Sequence, residues 1–180
     1  MSAKKVAIVV AGRSGQVAAM AGMRLPIESH VLQAFVTEGL KPVIDHGISF
    51  GMGHFYISQS DKGGLVFGGD IDGWNSYAQR GSLKIIEDQM GACKSLFPIV
   101  SRLRMMRQWA GIVDICPDAS PIISPTPVTG LYFNCGWGTG GFKATPGSGH
   151  LFAHTLAKRE PHPINAPFSL ERFYSGALVA

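Results

Sequence analysis

Between residues 134 and 149 the chain sets Gly136, Gly138, Gly140, Gly141, Gly147 and Gly149 around one lysine, Lys143, and a Thr145-Pro146 pair. Residues without a Cβ let a ligand approach bare backbone, and they permit the positive φ angles that turn several N–H groups to one side. Thr145 followed by Pro146 reads as an N-cap and first position of a helix running on through 151–157, which aims the positive end of a helix dipole at the same spot. With the full charge of Lys143, this set suits an electron-rich, partly anionic ring or a carboxylate. A glycine-rich turn closing a sheet corner is the plainer reading of the same residues.

Other motifs compete for these positions. Gly136, Gly138 and Gly141 fit G-x-G-x-x-G after a strand, but the dinucleotide fingerprint also needs an acidic residue about 20 positions on, at the end of a second parallel strand. Glu160 is the candidate, and it lies in a turn-like Lys158-Arg159-Glu160-Pro161-His162-Pro163 segment. A phosphate-binding P-loop fails because Ala144 follows Lys143 where Ser or Thr is required. His150 and His154 have the i, i+4 spacing of a zinc-binding helix, yet Leu151 stands where the metalloprotease motif needs Glu, so they read as a pair on a helix face. Cys93, Cys116 and Cys135 are odd in number and far apart, which suggests neither a disulfide framework nor a thiolate metal site and points to a reducing, cytoplasmic setting.

Composition sets the outer bounds. With 180 residues, 46% apolar and 16% charged, the chain is long and apolar enough for a real core. A net charge of +4 invites a nucleic-acid reading, but only Arg102, Arg104 and Arg107 cluster, and no nucleic-acid motif accompanies them. Lys4-Lys5 before an apolar run imitates a signal peptide; the run is short and Arg13 interrupts it. No stretch is long enough to span a membrane as a helix.

The elements that must position the glycine-rich segment follow from pattern. Residues 6–10 form a β-branched run that reads as a buried strand ending at Ala11-Gly12, with Ser14 capping a short helix over 16–21. Residues 28–37 alternate as a strand, and 55–60 pairs with 65–68 across an Asp61-Lys62-Gly63-Gly64 turn. Ser82 caps a helix whose apolar stripe is Leu83, Ile86, Met90, Cys93 and Phe97, stopped by Pro98. Residues 107–114 add a further strand, 118–124 reads as a turn followed by another, and 161–167 reads as an extended arm before a helical turn at 169–173. The expectation is a mixed α/β and α+β chain with two interleaved layers, residues 1–25 with 127–180 in one and an antiparallel middle over 26–126 in the other.

Several blocks resemble the D-amino-acid-oxidase-like family of FAD-dependent amine oxidases, above all its β-subunit branch from the heterotetrameric sarcosine oxidases. They are residues 18–30, 56–63, 107–114, Pro117-Asp118 with Pro121-Ile122-Ile123, 166–173 and, most specifically, 130–149. The likeness runs along the whole chain but corresponds to the C-terminal half or so of the family's subunit; the opening G-x-G-x-x-G strand for the ADP half of FAD is not among these residues. The resemblance implies the C-terminal part of an FAD-binding fold, interleaved with an antiparallel-sheet substrate or cap region at 26–126. It implies flavin contacts from Ala11, Gly12, Gly136, Trp137, Gly138, Thr139, Gly140, Gly141, Phe142 and Lys143, with Lys143 also holding the substrate carboxylate. No metal is implied. Gly111 occupies the place where monomeric relatives attach flavin through Cys, so a covalent link there is not expected, and Arg13 and Gly15 replace residues usual in the family.

The implied reaction is hydride removal from sarcosine or a related N-methyl amino acid, with peroxide formed later. FMN, NAD and tetrahydrofolate are implied for the heterotetrameric complex, along with other subunits or a separate N-terminal half as partners. The chain alone is expected to retain little FAD and to self-associate through open strand edges. A non-catalytic remnant or interaction module of the same fold is the alternative expectation.

Overall fold

The computed structural model describes residues 2–51 and 55–179. Twelve named elements follow one another: β1 (Val6–Ile8), α1 (Ser14–Met20), β2 (Glu28–Gly39), β3 (Ile48–Phe50), β4 (Phe55–Gln59), β5 (Gly64–Asn75), α2 (Leu83–Leu96), β6 (Met105–Ile115), β7 (Ile122–Pro125), β8 (Leu131–Cys135), α3 (Gly141–Lys158) and α4 (Arg172–Ser175). They gather into two compact units, Met1–Ser29 with Val113–Ala180, and His30–Ile112.

The first unit is built on a three-stranded sheet in the order β1-β8-β7. β1 runs parallel to β8, with Val6 opposite Leu131, and β7 runs antiparallel to it, with Ile122 opposite Cys135. All five residues of β8 are buried, as a central strand covered on both faces requires. On one face Leu131, Phe133 and Cys135 pack with Ile8, Ala18 and Leu170; on the other Tyr132 and Ile123 meet Phe152 of α3. β1 is an edge strand in which Val6 stays 49% exposed.

The second unit is a five-stranded sheet in the order β3-β4-β5-β2-β6, covered by α2. The expected hairpin is present: Gln59 pairs with Leu65, and the turn closes with Gly63 at φ +85, where a Cβ would meet the Leu40 carbonyl oxygen at 2.6 Å. Phe67 stacks on Phe35 with ring centroids 5.4 Å apart, and Phe55 and Phe97 extend the cluster. Ser82 caps α2 as expected, its hydroxyl accepting from the Ile85 N–H. Of the expected stripe, Cys93 is buried and Ile86, Met90 and Phe97 pack against the aromatic cluster, joined by buried Ile85 and Gln89, whereas Leu83 is 77% exposed.

Two helix starts also differ from expectation. α3 begins at Gly141 rather than at Thr145-Pro146, and Pro146 sits inside it. Past the first turn of the helix, Pro146 forfeits the bond its missing N–H would have made to the Phe142 carbonyl, and its ring crowds that carbonyl. Thr145 does not cap; its hydroxyl donates back to the Gly141 carbonyl at 3.0 Å. Likewise α1 starts at Ser14 itself, with no side-chain cap, since the Ser14 hydroxyl is engaged across the fold. β3 was not legible in the sequence, and the 161–167 arm contains a 3-10 turn at Ala166–Phe168.

Candidate functional site

The glycine-rich segment leaves the end of β8 as a tight turn and enters α3 directly. Gly136 and Gly138 have φ +74 and +53, angles that L side chains rarely adopt, and a Cβ on Gly136 would stand 2.5 Å from the Cys116 sulfur. Only glycine fits there. The Gly140 N–H closes the turn on the Trp137 carbonyl at 2.9 Å, and the Trp137 indole N–H donates to Asn134 Oδ1 at 2.7 Å.

The centre of this arrangement is a residue that sequence pattern did not single out, Asp114 at the end of β6, 1% exposed. Its carboxylate Oδ2 accepts from the Gly136 N–H at 2.6 Å and lies 2.9 Å from the Ser14 hydroxyl, whose one proton also faces the Val10 and Ala11 carbonyls at 2.6 and 2.7 Å. Its main-chain carbonyl accepts from the Gly138 N–H at 2.8 Å. Burial pushes the Asp114 carboxyl above its ordinary range, while the Gly136 and Ser14 hydrogen bonds oppose that shift. A lone acidic residue in the strand at 107–114 carries no pattern of its own; a carboxylate at an otherwise apolar strand end is the signal that could have found it.

Ala11 and Gly12 form the turn between β1 and α1. Ala11 is exposed; Gly12 is buried and its carbonyl accepts from the Ser29 hydroxyl at 3.0 Å. Ser14, two residues on, joins this turn to Asp114 and so to the glycine turn. Two of the predicted segments therefore meet on one carboxylate oxygen. Gly141, Phe142 and Lys143 form the first turn of α3, where N–H groups lack intrahelical acceptors and the dipole is positive. Phe142 is 96% exposed, and Thr139 and Lys143 are exposed as well. The N–H groups of Gly136, Gly138 and Gly140 are thus engaged within the protein, whereas the start of α3 presents its donors with a cation among them.

A second buried polar cluster ties down the C-terminal arm. Arg172 donates from Nε and Nη2 to the two oxygens of Asp118, at 2.7 and 3.0 Å, and also reaches the Ser120 and Ser169 carbonyls. The Arg172 guanidinium holds the Asp118 carboxyl down to about 2. Cys116 and Cys135 lie between the two clusters, and burial pushes both thiols up to about 12, so they stay protonated and unreactive at neutral pH. His154 meets His162 edge-on at 5.0 Å, and among the described residues no set of three metal-ligating side chains comes together. No helix among them is long and apolar enough to cross a membrane.

A parallel strand pair, a glycine turn with positive φ and a helix N-terminus carrying a lysine are features found in flavin- and nucleotide-binding folds. The family profile of FAD dependent oxidoreductases matches residues 2–155, and the chain belongs to that family. Its sequence is similar to sarcosine oxidase subunit beta of Rhizobium meliloti (strain 1021), 61% identical over 175 residues, covering 97% of this chain and 42% of the relative. The same subunit of Arthrobacter sp is 54% identical over 177 residues, covering 98% and 44%. The chain therefore spans less than half the length of the curated relatives it matches. Among solved structures, L-proline dehydrogenase from P. horikoshii is similar with a TM-score of 0.82 and 26% identity, covering 96% of this chain and 47% of that one. Glycine oxidase from Geobacillus kaustophilus shares the fold at a TM-score of 0.82.

Proposed function

We propose that this chain forms part of a flavin-dependent amine oxidase that acts on sarcosine or a related N-methyl amino acid. The observation that carries the reading is the Asp114-braced glycine turn running straight into the start of α3, with Lys143 in its first turn. This donor set suits FAD: the pyrimidine edge of a flavin is electron-rich, and positive helix ends and cations stabilise charge there. Residues 136–143, with Ala11 and Gly12, would hold the flavin end. FAD supplies the two-electron acceptor for a hydride from the N-methyl carbon.

The chain's own contribution is positioning and electrostatics. Lys143 anchors the substrate carboxylate as a single-point cation. The N–H groups at the start of α3 favour negative charge on the cofactor edge. The cofactor layer is assigned to residues 1–25 with 127–180, and the substrate region to the antiparallel residues 26–126. The ADP half of FAD is held by residues beyond these 180, in keeping with relatives more than twice as long, and the relatives' subunit naming supports a multi-subunit assembly.

Lys143→Met, made in the flavin-loaded assembly containing this chain, weakens binding of a carboxylate inhibitor by about 2–5 kcal/mol, the cost of truncating one partner of a desolvated charge pair. Titration followed by flavin absorbance measures it. Unchanged affinity removes Lys143 as the anchor.

A further inference from the structure

The activity proposed above uses the glycine turn that Asp114 braces but gives the buried carboxylate itself no role. Burying such a group is expensive unless every oxygen is well used. Here one residue serves as two acceptors, its carboxylate for the Gly136 N–H and its main-chain carbonyl for the Gly138 N–H, at 2.6 and 2.8 Å. The same Oδ2 is within 2.9 Å of the Ser14 hydroxyl, two residues after Gly12, a hydroxyl it shares with the Val10 and Ala11 carbonyls of that turn. The two turns that the flavin reading uses therefore share a single anchor point, and the Gly136 conformation can close on it only because no Cβ stands against Cys116.

Resting on the reading of residues 136–143 as a flavin-facing segment, we propose that Asp114 is the positioning residue that shapes this segment. It draws the Gly136 and Gly138 N–H groups to the protein side and fixes the 11–12 turn to them through Ser14. Contact with the flavin is then left to the intervening residues Trp137 and Thr139 and to the start of α3. The carboxylate touches neither substrate nor cofactor; it acts through the backbone it holds.

The test uses the flavin-loaded assembly containing this chain with Asp114→Ala, the near-isosteric Asp114→Asn and the milder Ser14→Ala; Arg172→Lys, outside the turn, is the control. Hydrogen exchange of the peptide spanning 131–142 is expected to quicken about tenfold or more in Asp114→Ala, as loss of a charge-assisted bond implies, with peptides from β5 unchanged. In the same variant the flavin visible spectrum shifts and flavin release speeds by about tenfold, Asp114→Asn recovering most of the effect because its amide oxygen still accepts the Gly136 N–H. Arg172→Lys leaves the spectrum as it was. If Asp114→Ala does not fold, Asp114→Asn and Ser14→Ala carry the same comparison at smaller amplitude. Variants matching the unaltered assembly in spectrum and release overturn the role of Asp114, whatever happens to exchange. An unaltered assembly that holds no flavin overturns the flavin reading itself, and this proposal with it.

Discussion

In the His30–Ile112 unit the interior is mostly rings and aliphatic chains, Phe35 stacked on Phe67 and Phe55 tilted against it with Ile57, Leu65 and Ile85 around them, and its buried polar side chains Gln33, Thr37 and Gln89 are uncharged. In the unit of Met1–Ser29 with Val113–Ala180 the interior also holds two carboxylates and a guanidinium, Asp114, Asp118 and Arg172, each nearly or wholly out of solvent. Apolar packing is non-directional and tolerates small displacements; buried charges tolerate few, because each oxygen and N–H must keep its partner. The first kind of interior supports a sheet surface, the second fixes a particular backbone path. The glycine turn and the C-terminal arm lie where the second kind is used.

Substitutions at the two interiors separate these modes of support. Phe67→Ala should cost about 4 kcal/mol, the transfer term plus the cavity left under Phe35 and Phe55, and hydrogen exchange should quicken first in β4 and β5. A loss confined to the first unit's peptides breaks the comparison. Arg172→Ala should cost about 3 kcal/mol by stranding Asp118 without its cation, whereas Arg172→Met with Asp118→Leu should recover much of it. Denaturant midpoints decide between them.

Acid provides a graded probe of the same ion pair. The folded-state value of Asp118 lies at about 2, below its ordinary 3.8. Its contribution is therefore fully present above the ordinary value and is lost as pH falls towards 2, about 2 kcal/mol at roughly 1.4 kcal/mol per unit. Asp114 is shifted the other way, so the folded state takes up its proton more readily than the unfolded chain and this group alone favours folding as pH falls. Stability measured from pH 6 to 2 should decline in unaltered protein and decline less in Asp118→Asn; equal slopes count against the pair. The smallest effect belongs to the second unit: Ser82→Ala removes the α2 cap and should cost about 1 kcal/mol, seen as faster exchange in the first turn of α2.

Local pattern carried much of the architecture. The β4–β5 hairpin, the Ser82 cap and the strand ending near Asp114 follow from turn chemistry, alternation and helix periodicity, properties of neighbours along the chain. The glycine-rich segment was visible as well, because glycine density marks backbone that side chains would obstruct. What could not be read locally were the partners. Ser14 was expected to cap its own helix; its hydroxyl instead faces the preceding Val10 and Ala11 carbonyls and a carboxylate a hundred positions away. Thr145-Pro146 carried the signature of a helix start, but α3 begins at Gly141, where the closed turn delivers the chain already in helical conformation. Most of the α2 stripe packs as expected, but Leu83 stays exposed and Ile85 is buried, because burial depends on where the aromatic cluster lies beneath the helix. Residue type and spacing say which groups need a partner or a particular φ; which partner each one finds depends on long-range pairing such as that of β1 with β8, and that exists only once the chain has folded.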